Sequence, residues 1–353
     1  MSSNPFILTF GKEPFEVISR NAQKNLVLDA FLSEPSSQQL FMITGIRGSG
    51  KTVFMTEIAK KIKAEPNWIK VELSSASDLL LDLLSALASE NTFAEIFKKA
   101  KINLSFFGVG FGVDNTVPIT NTQTALIKML ESLKKKGKKL LICIDEVTPT
   151  ESMKLFSSAF QIFIREELPV YLLMTGLYEN INNLQNEKNL TFLYRAPKID
   201  LAPLNIGLIV QKYVQIFNIS EEESLYMALA TKGYSFAFQV LGYYTWENGG
   251  SYKNAIDDTK AYLEDYVYEK VWSEMSRGDR RLAYGLAKNP SGKAKEIKDF
   301  LSMKDTEYSP YRDRLSKRGI IDGKEHGYIS FTLPFFEEFV LRNYILTNPE
   351  DEA

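Results

Sequence analysis

Gly45-Ile-Arg-Gly-Ser-Gly-Lys-Thr52 is the stretch on which the reading of this chain turns. It satisfies G-x-x-x-x-G-K-[ST] in full. A strand-length apolar run, Leu40 to Thr44, leads into it, and a helical pattern, Val53 to Ala64, leads out. Strand, glycine loop and helix in that order are the context in which this pattern binds phosphate. The glycines let successive backbone N–H groups turn inward where a side chain would clash. The helix start adds its positive dipole end. Lys51 then places a mobile cation between the β- and γ-phosphates, and the Thr52 hydroxyl ligates Mg²⁺. Gly45, Ile46, Arg47, Gly48, Ser49, Gly50, Lys51 and Thr52 are therefore the candidate phosphate site.

Working outward, four more apolar runs of strand length follow the same rhythm: Trp68 to Leu73, Leu140 to Ile144, Val170 to Thr175 and Lys198 to Leu201. Helical patterns separate them, which predicts an α/β layer with a mainly parallel sheet. The runs are continuous, as expected of strands covered on both faces. The third ends in Asp145-Glu146. Asp145, at a strand's C-terminal edge, is placed to hold the Mg²⁺ shell opposite Thr52. Glu146 is placed to polarise an attacking water. Lys101 to Asp114 fits less well. Its apolar residues alternate through Phe106, then shift phase and alternate with glycines (Phe107, Val109, Phe111, Val113). A hairpin or bulged edge strand is expected there.

After Asn205 the pattern becomes purely helical: Asn205 to Phe217, Glu221 to Thr231, Phe236 to Trp246 and Tyr252 to Met275. Ser220 and Glu223 make a capping box, and Asn248-Gly-Gly-Ser251 is a break. Three further helices follow, Asp279 to Lys288, Lys293 to Met303 and Pro310 to Arg318. Two short β-like runs then flank the turn Asp322 to Gly327, and a closing helix begins at Pro334. That order predicts a winged helix-turn-helix. Ser309 at the N-cap, Pro310 at N1 and Gly319 past the end punctuate its third helix. The expected division is 1–204, a phosphate-loop core; 205–275, a helical lid; 276–346, the winged helix; and 347–353, a tail.

The 353 residues carry a net charge of −2, but segment 276–319 alone is near +6, leaving about −8 elsewhere. Such asymmetry points to an anionic partner for one module. In a helix-turn-helix the third helix enters the major groove. With Tyr311 and Leu315 facing the module's core, Arg312, Ser316 and Lys317 face outward, and Lys293, Lys295, Lys298 and Lys324 are candidate phosphate contacts. Double-stranded DNA is the expected partner, and docking of a protein is the other use such a module has. The sole cysteine, Cys143, and the sole histidine, His326, exclude a zinc finger, a Cys/His metal cluster and a Ser-His-Asp triad. A signal peptide or membrane span is not expected, so the reading is cytoplasmic.

The chain resembles the AAA+ and STAND branches of the P-loop ATPases, in particular prokaryotic ATPases related to origin-recognition proteins that end in a winged helix. Residues 45–52 and 140–146 carry the likeness as Walker A and Walker B motifs. It continues through Leu172 to Gly176, Tyr194 to Leu204, Gly233 to Gly242 and Tyr311 to Ile320. It implies ATP as the nucleotide, ADP as product and Mg²⁺ as cofactor, while Arg47 within the loop and a lid segment without arginine favour slow hydrolysis. The alternative is a nucleotide-gated switch with negligible turnover. It also implies that Thr175 is a sensor of the γ-phosphate and Arg195 an arginine finger, which raises the question of a homo-oligomer. The segment Pro5 to Arg20 corresponds to a nucleotide strap, with Phe15 and Ile18 as packing residues at the base. One departure stands out: Gly233 to Gly242 contains no arginine, so the usual lid cation is missing.

Overall fold

The computed structural model describes residues 3–9, 14–89, 91–108 and 116–347. It divides into two compact units, one of residues 21–44 and 51–200, the other of residues 1–20, 45–50 and 201–353.

The first unit is the α/β layer. Its elements in order are α1 (Asn21–Leu32), β1 (Leu40–Thr44), α2 (Lys51–Lys63), β2 (Trp68–Ser74), α3 (Leu79–Ser89), α4 (Asn91–Lys99), α5 (Thr122–Lys135), β3 (Lys139–Asp145), α6 (Glu151–Arg165), β4 (Val170–Gly176), α7 (Tyr178–Gln185) and β5 (Lys198–Asp200). The sheet is parallel with order β2-β3-β4-β1-β5. Thr44 pairs with Gly176, and Ile144 with Met174. The C-terminal ends of β1, β4 and β3 therefore finish along one edge, with β4 between the other two. On one face Leu83, Leu84 and Leu87 of α3 pack with Met129, Leu130 and Leu133 of α5 and Phe156, Phe160 and Phe163 of α6. β3 and β4 are buried as their continuous apolar runs predict. β2 is not: as the sheet's edge it leaves Lys70 and Glu72 to pair on its surface, 2.5 Å apart.

No strand forms over the described part of 101–114. Ile102 and Leu104 are buried, but Ser105–Phe107 is a short 3₁₀ turn. The Asn103 amide explains why: it donates to the Thr116 carbonyl at 3.0 Å and accepts from the Ser105 N–H at 3.1 Å. Side-chain bonds of this kind offer the backbone an alternative to a ladder. The glycine-alternating part, Val109 to Val113, lies outside the described residues.

The second unit continues with α8 (Ile206–Phe217), α9 (Glu221–Ala230), α10 (Ser235–Glu247), α11 (Tyr252–Leu263) and α12 (Glu269–Ser273). Asn205 and Ser220 cap α8 and α9 by accepting from the N–H groups of Leu208 and Glu223, each at 3.1 Å. Phe6, Ile18, Leu204, Ile209, Tyr213 and Phe238 build a core here. The single helix expected from Tyr252 to Met275 is interrupted by a π-turn, Glu264–Tyr268. The wider turn brings the adjacent Val267 and Tyr268 both into the core, where Tyr268 meets Phe336 and Phe339 at 5.1 and 5.9 Å between ring centroids.

The chain ends in α13 (Arg277–Lys288), α14 (Ala294–Leu301), α15 (Asp305–Lys317), β6 (Ile321–Asp322), β7 (Ser330–Phe331) and α16 (Phe336–Thr347). β6 and β7 are antiparallel, and Lys293 bridges to Tyr328. Three helices, a short antiparallel strand pair and a closing helix thus follow one another in the order expected from the sequence. α15 starts a turn earlier than its Ser309-Pro310 punctuation suggests. The Glu307 carboxylate accepts the Lys304 N–H at 3.2 Å, and Pro310 sits inside the helix at the cost of one hydrogen bond.

Asp279 ties this module together. Only 1% exposed, it accepts from Arg314 Nη2 and Nε at 2.6 and 2.9 Å and from the Ser276 N–H at 3.0 Å, joining α13 to α15. Removing one partner of such a pair strands the other charge. Asp279→Ala should cost about 3 kcal/mol, read as a lower urea midpoint at unchanged m-value. Asp279→Asn, which keeps the cap, should cost less.

Candidate active site

Asp145 is the centre of the α/β unit's polar edge. Its Oδ2 accepts from the Thr52 hydroxyl at 2.6 Å, and its Oδ1 from the Thr175 hydroxyl. Oδ1 also accepts the Glu146 N–H at 3.0 Å. The register explains the meeting. Thr175 is near the tip of β4, beside the β3 tip that carries Asp145, and Thr52 is the second residue of α2. Thr175 is fully buried and accepts from the Glu146 N–H at 3.2 Å, while its carbonyl accepts from Val147 N–H at 2.8 Å. These bonds hold Glu146 at φ 51°, a left-handed conformation costing about 1 kcal/mol or more for a non-glycine residue, with its side chain exposed. Thr44, the last residue before the glycine loop, donates to Asp200 at the end of β5.

Residues 45–50 belong to the second unit, and three consecutive residues at the start of α10 grip them. Tyr234 donates its hydroxyl to the Arg47 carbonyl at 2.6 Å. Phe236 donates its N–H to the Gly48 carbonyl at 3.1 Å, and Ser235 its hydroxyl to the Ser49 carbonyl at 3.0 Å. Arg20 Nη2 adds a bond to Ser49 O at 3.2 Å. Glycine is needed at position 48 on two counts: φ is +75°, and a Cβ would lie 2.1 Å from the Tyr234 hydroxyl oxygen. Burial pushes the Tyr234 phenol far above its ordinary range, with the Arg47 charge opposing, so it remains a donor at any working pH. The Arg47 guanidinium lies 3.6 Å from Glu274, and Arg318 at the end of α15 lies 3.6 Å from the same carboxylate. Arg47 Nε and Ser49 Oγ are buried with no hydrogen-bond partner.

The other sequence-predicted residues separate. Ile18 is buried in the helical core, whereas Phe15 is 77% exposed. Arg195 ends a short 3₁₀ turn before β5 and is exposed. Arg312 and Ser316 do not face outward as expected. Arg312 donates to the Gly323 carbonyl at 2.6 Å, and Ser316 Oγ is buried beside the same glycine. The two-residue strands fold the turn back onto that face of α15. Lys317 does face solvent, paired with Asp313 at 2.7 Å. Lys293, Lys298 and Lys324 lie 3.1, 2.5 and 3.9 Å from Glu296, Asp305 and Asp322. Sequence reasoning missed Arg20, Tyr234, Ser235 and Glu274. The only local signal was the glycine before Tyr234: Gly233 has φ +73°, and a Cβ there would lie 2.6 Å from the Leu204 carbonyl.

A metal would find the hard oxygen donors it prefers in Thr52 Oγ1 and the Asp145 carboxylate. Among the described residues no group of three or more His, Cys, Asp or Glu could hold one. Mg²⁺ suits that sparse set, because it keeps most of its shell for water and substrate phosphates. The buried orphans Arg47 Nε and Ser49 Oγ are likewise what a loop built for phosphate leaves unpaired.

Among solved structures, the chain is similar to the Walker-type ATPase of Pyrococcus abyssi, with TM-score 0.65 and 16% identity over 92% of this chain and 96% of that one. It is also similar to the Aeropyrum pernix ORC2 protein in its ADPNP–ADP complexes, with TM-score 0.61 and 14% identity over 97% and 98% of the two chains. The fold is that of Walker-type and origin-recognition ATPases. It is AAA+-like: a five-stranded parallel sheet with helices, followed by a helical C-terminal region. A family model described as a domain of unknown function, DUF8462, matches residues 265–340. No curated protein matches by sequence. No helix among the described residues is long and apolar enough to cross a membrane.

Cys143 lies two residues before Asp145 on β3, but its sulfur is shielded and held as the thiol. It is 1% exposed, and burial pushes its thiol up to about 12. A thiol reagent such as dithiobis(nitrobenzoate) at pH 8 should leave the native protein unlabelled and titrate one thiol after denaturation.

Proposed function

We propose that this protein is a Mg²⁺-dependent ATPase of the P-loop class whose nucleotide state governs its C-terminal module. The observation that carries the reading is the Thr52–Asp145 bond, which joins the hydroxyl and the carboxylate that a phosphate-bound Mg²⁺ requires. In this reading Lys51 neutralises charge on the β- and γ-phosphates, and Glu146 polarises the attacking water. Thr175 positions Asp145 and senses the γ-phosphate. Arg195 acts on the nucleotide of a neighbouring copy. Phe15 and Ile18 belong to the strap, one free to stack on a base and the other anchoring the segment. Residues 1–204 are the ATPase core with its strap, 205–275 the lid, 276–346 a winged helix and 347–353 a tail, in a cytoplasmic protein.

The proposed partner of the C-terminal module is duplex DNA, on the strength of the +6 charge of segment 276–319. Lys317, Lys293, Lys298 and Lys324 are its contacts, and each must exchange an acid for a phosphate. A nucleotide-held switch with negligible turnover is the second reading. It is favoured by a lid that brings hydroxyls and an N–H to the P-loop, with no arginine among residues 233–242.

Steady-state ATP hydrolysis with Mg²⁺, with and without a duplex, tests these readings. Lys51→Ala should abolish nucleotide binding. Glu146→Gln should bind ATP normally yet turn over about 10²–10³-fold more slowly. Thr175→Val should lose about 10–100-fold in turnover, and Thr175→Ser should retain most of it. Tight ATP binding without turnover in wild type would favour the switch. For DNA, Lys293→Glu with Lys317→Glu should weaken binding and flatten the salt slope by about one unit per lost contact. Unchanged affinity and slope would turn the search to a protein partner.

A further inference from the structure

We infer that Tyr234 and Ser235 are positioning residues of the phosphate loop: the lid holds the loop's carbonyls and so fixes the N–H groups that would face a nucleotide. The inference rests on the nucleotide reading above and adds a part to it.

The argument starts from the planarity of the peptide bond. Fixing one carbonyl fixes the N–H of the next residue on the opposite side of the same plane. Tyr234 on Arg47 O thus orients the N–H of Gly48; Phe236 on Gly48 O orients that of Ser49; Ser235 on Ser49 O orients that of Gly50. The N-cap of α10 and its first two residues set three adjacent peptide planes of the loop. The Ser49 N–H itself donates to Ile46 O at 3.1 Å, so that plane braces the loop from within, and the N–H groups of Gly48 and Gly50 are the ones the lid aims at a nucleotide. Arg20 reinforces the outermost plane, and Nη2 of Arg20 also reaches Ser235 Oγ at 3.2 Å while Nη1 holds Ala202 O at 2.5 Å.

A glycine-rich loop is otherwise mobile, since glycine gives up more backbone freedom on ordering than any other residue. A ligand that binds only the ordered form sees its affinity reduced by the fraction of time the loop spends there. Lid bonds that raise this fraction raise affinity without touching the ligand. The Gly48 position supports the point from the other side. The space a Cβ would occupy is filled by the Tyr234 hydroxyl, so loop and lid fit only with glycine at 48.

Tyr234→Phe removes one hydroxyl and keeps the ring. Tyr213→Phe is the matched control, because Tyr213 is also buried and donates to a backbone carbonyl, Phe238 O at 2.8 Å, within the helical core. Calorimetric titration with ADP and Mg²⁺ would be run on wild type, both variants, Ser235→Ala and Lys51→Ala, with amide exchange of peptide 45–52 in the nucleotide-free proteins. Tyr234→Phe should weaken ADP binding about tenfold, the consequence of one part-buried carbonyl left without this donor in the competent loop. Ser235→Ala should weaken it less, since Arg20 still holds Ser49 O. Exchange across 45–52 should rise in Tyr234→Phe and not in Tyr213→Phe. Wild-type affinity and exchange in Tyr234→Phe would overturn the inference. So would equal losses in Tyr234→Phe and Tyr213→Phe, which would report general destabilisation. Wild type failing to bind ADP would instead overturn the nucleotide reading itself, and normal binding by Lys51→Ala would remove the P-loop from it.

Discussion

The Asp145 carboxylate is the fixed point of the α/β unit. It takes hydrogen bonds from a helix start, a strand tip and its own following amide, through Thr52, Thr175 and the Glu146 N–H. A carboxylate on one strand can reach both hydroxyls only because the β4 tip finishes beside the β3 tip. The sheet order supplies that placement by setting β4 between the glycine-loop strand and the Asp145 strand. Charge-assisted bonds of this sort are about twice as strong as neutral ones. Their collective effect is to hold Glu146 in a left-handed conformation that it would not adopt alone. The strain thus sits at the one residue proposed to handle water, a place where strained backbone tends to be found.

The glycine loop is constrained separately. Its neighbours in sequence, Thr44 and Lys51, belong to the sheet unit, while the six residues between them are packed with the helical unit. Ile46 meets the C-terminal core, Arg47 meets Glu274, and the three carbonyls that follow Ile46 meet α10. A loop read in isolation as a phosphate cradle is also a structural part of the helical unit.

Much of this was legible in the sequence, and the exceptions have physical causes. β1 falls on Leu40–Thr44 as read, because a short apolar run bounded by glycine has few other uses. The alternation of strands and helices identifies the α/β layer for the same reason. Local signals misled where a stronger partner lay elsewhere. At Ser309-Pro310 a good helix start is overridden by the Glu307 cap one turn earlier. At Ile102 to Phe106 the alternation looks like a strand, but Asn103 takes the backbone bonds first. Arg312 looks solvent-facing on a helical wheel, yet the turn after β6 offers it a carbonyl. The grip of α10 on the glycine loop was beyond reach, since Tyr234 and Arg47 are 187 positions apart and no pattern marks either as the other's partner.

Magnitudes decide which contacts could carry a signal from the loop to the C-terminal module. The Arg47–Glu274 pair is the obvious wire, because Glu274 also holds Arg318 at the end of α15. At 3.6 Å, with side chains 33% and 28% exposed, it is worth no more than about 1 kcal/mol. A phosphate with several charges would take Arg47 from it. That gain shifts an equilibrium by about fivefold, far short of the ~5.5 kcal/mol needed to move a population from 1:99 to 99:1. A ligand drives a change only through contacts that differ between states. The ion pair alone is too weak to be the switch. The three carbonyl bonds from α10 and its N-cap, each worth about 1 kcal/mol, would add about 3 kcal/mol if made or lost together, and with the ion pair about 4 kcal/mol, still short of that figure. The neutral bonds that α10 and its N-cap make to the loop are therefore the larger of the two contributions, and the Arg47–Glu274 pair the smaller.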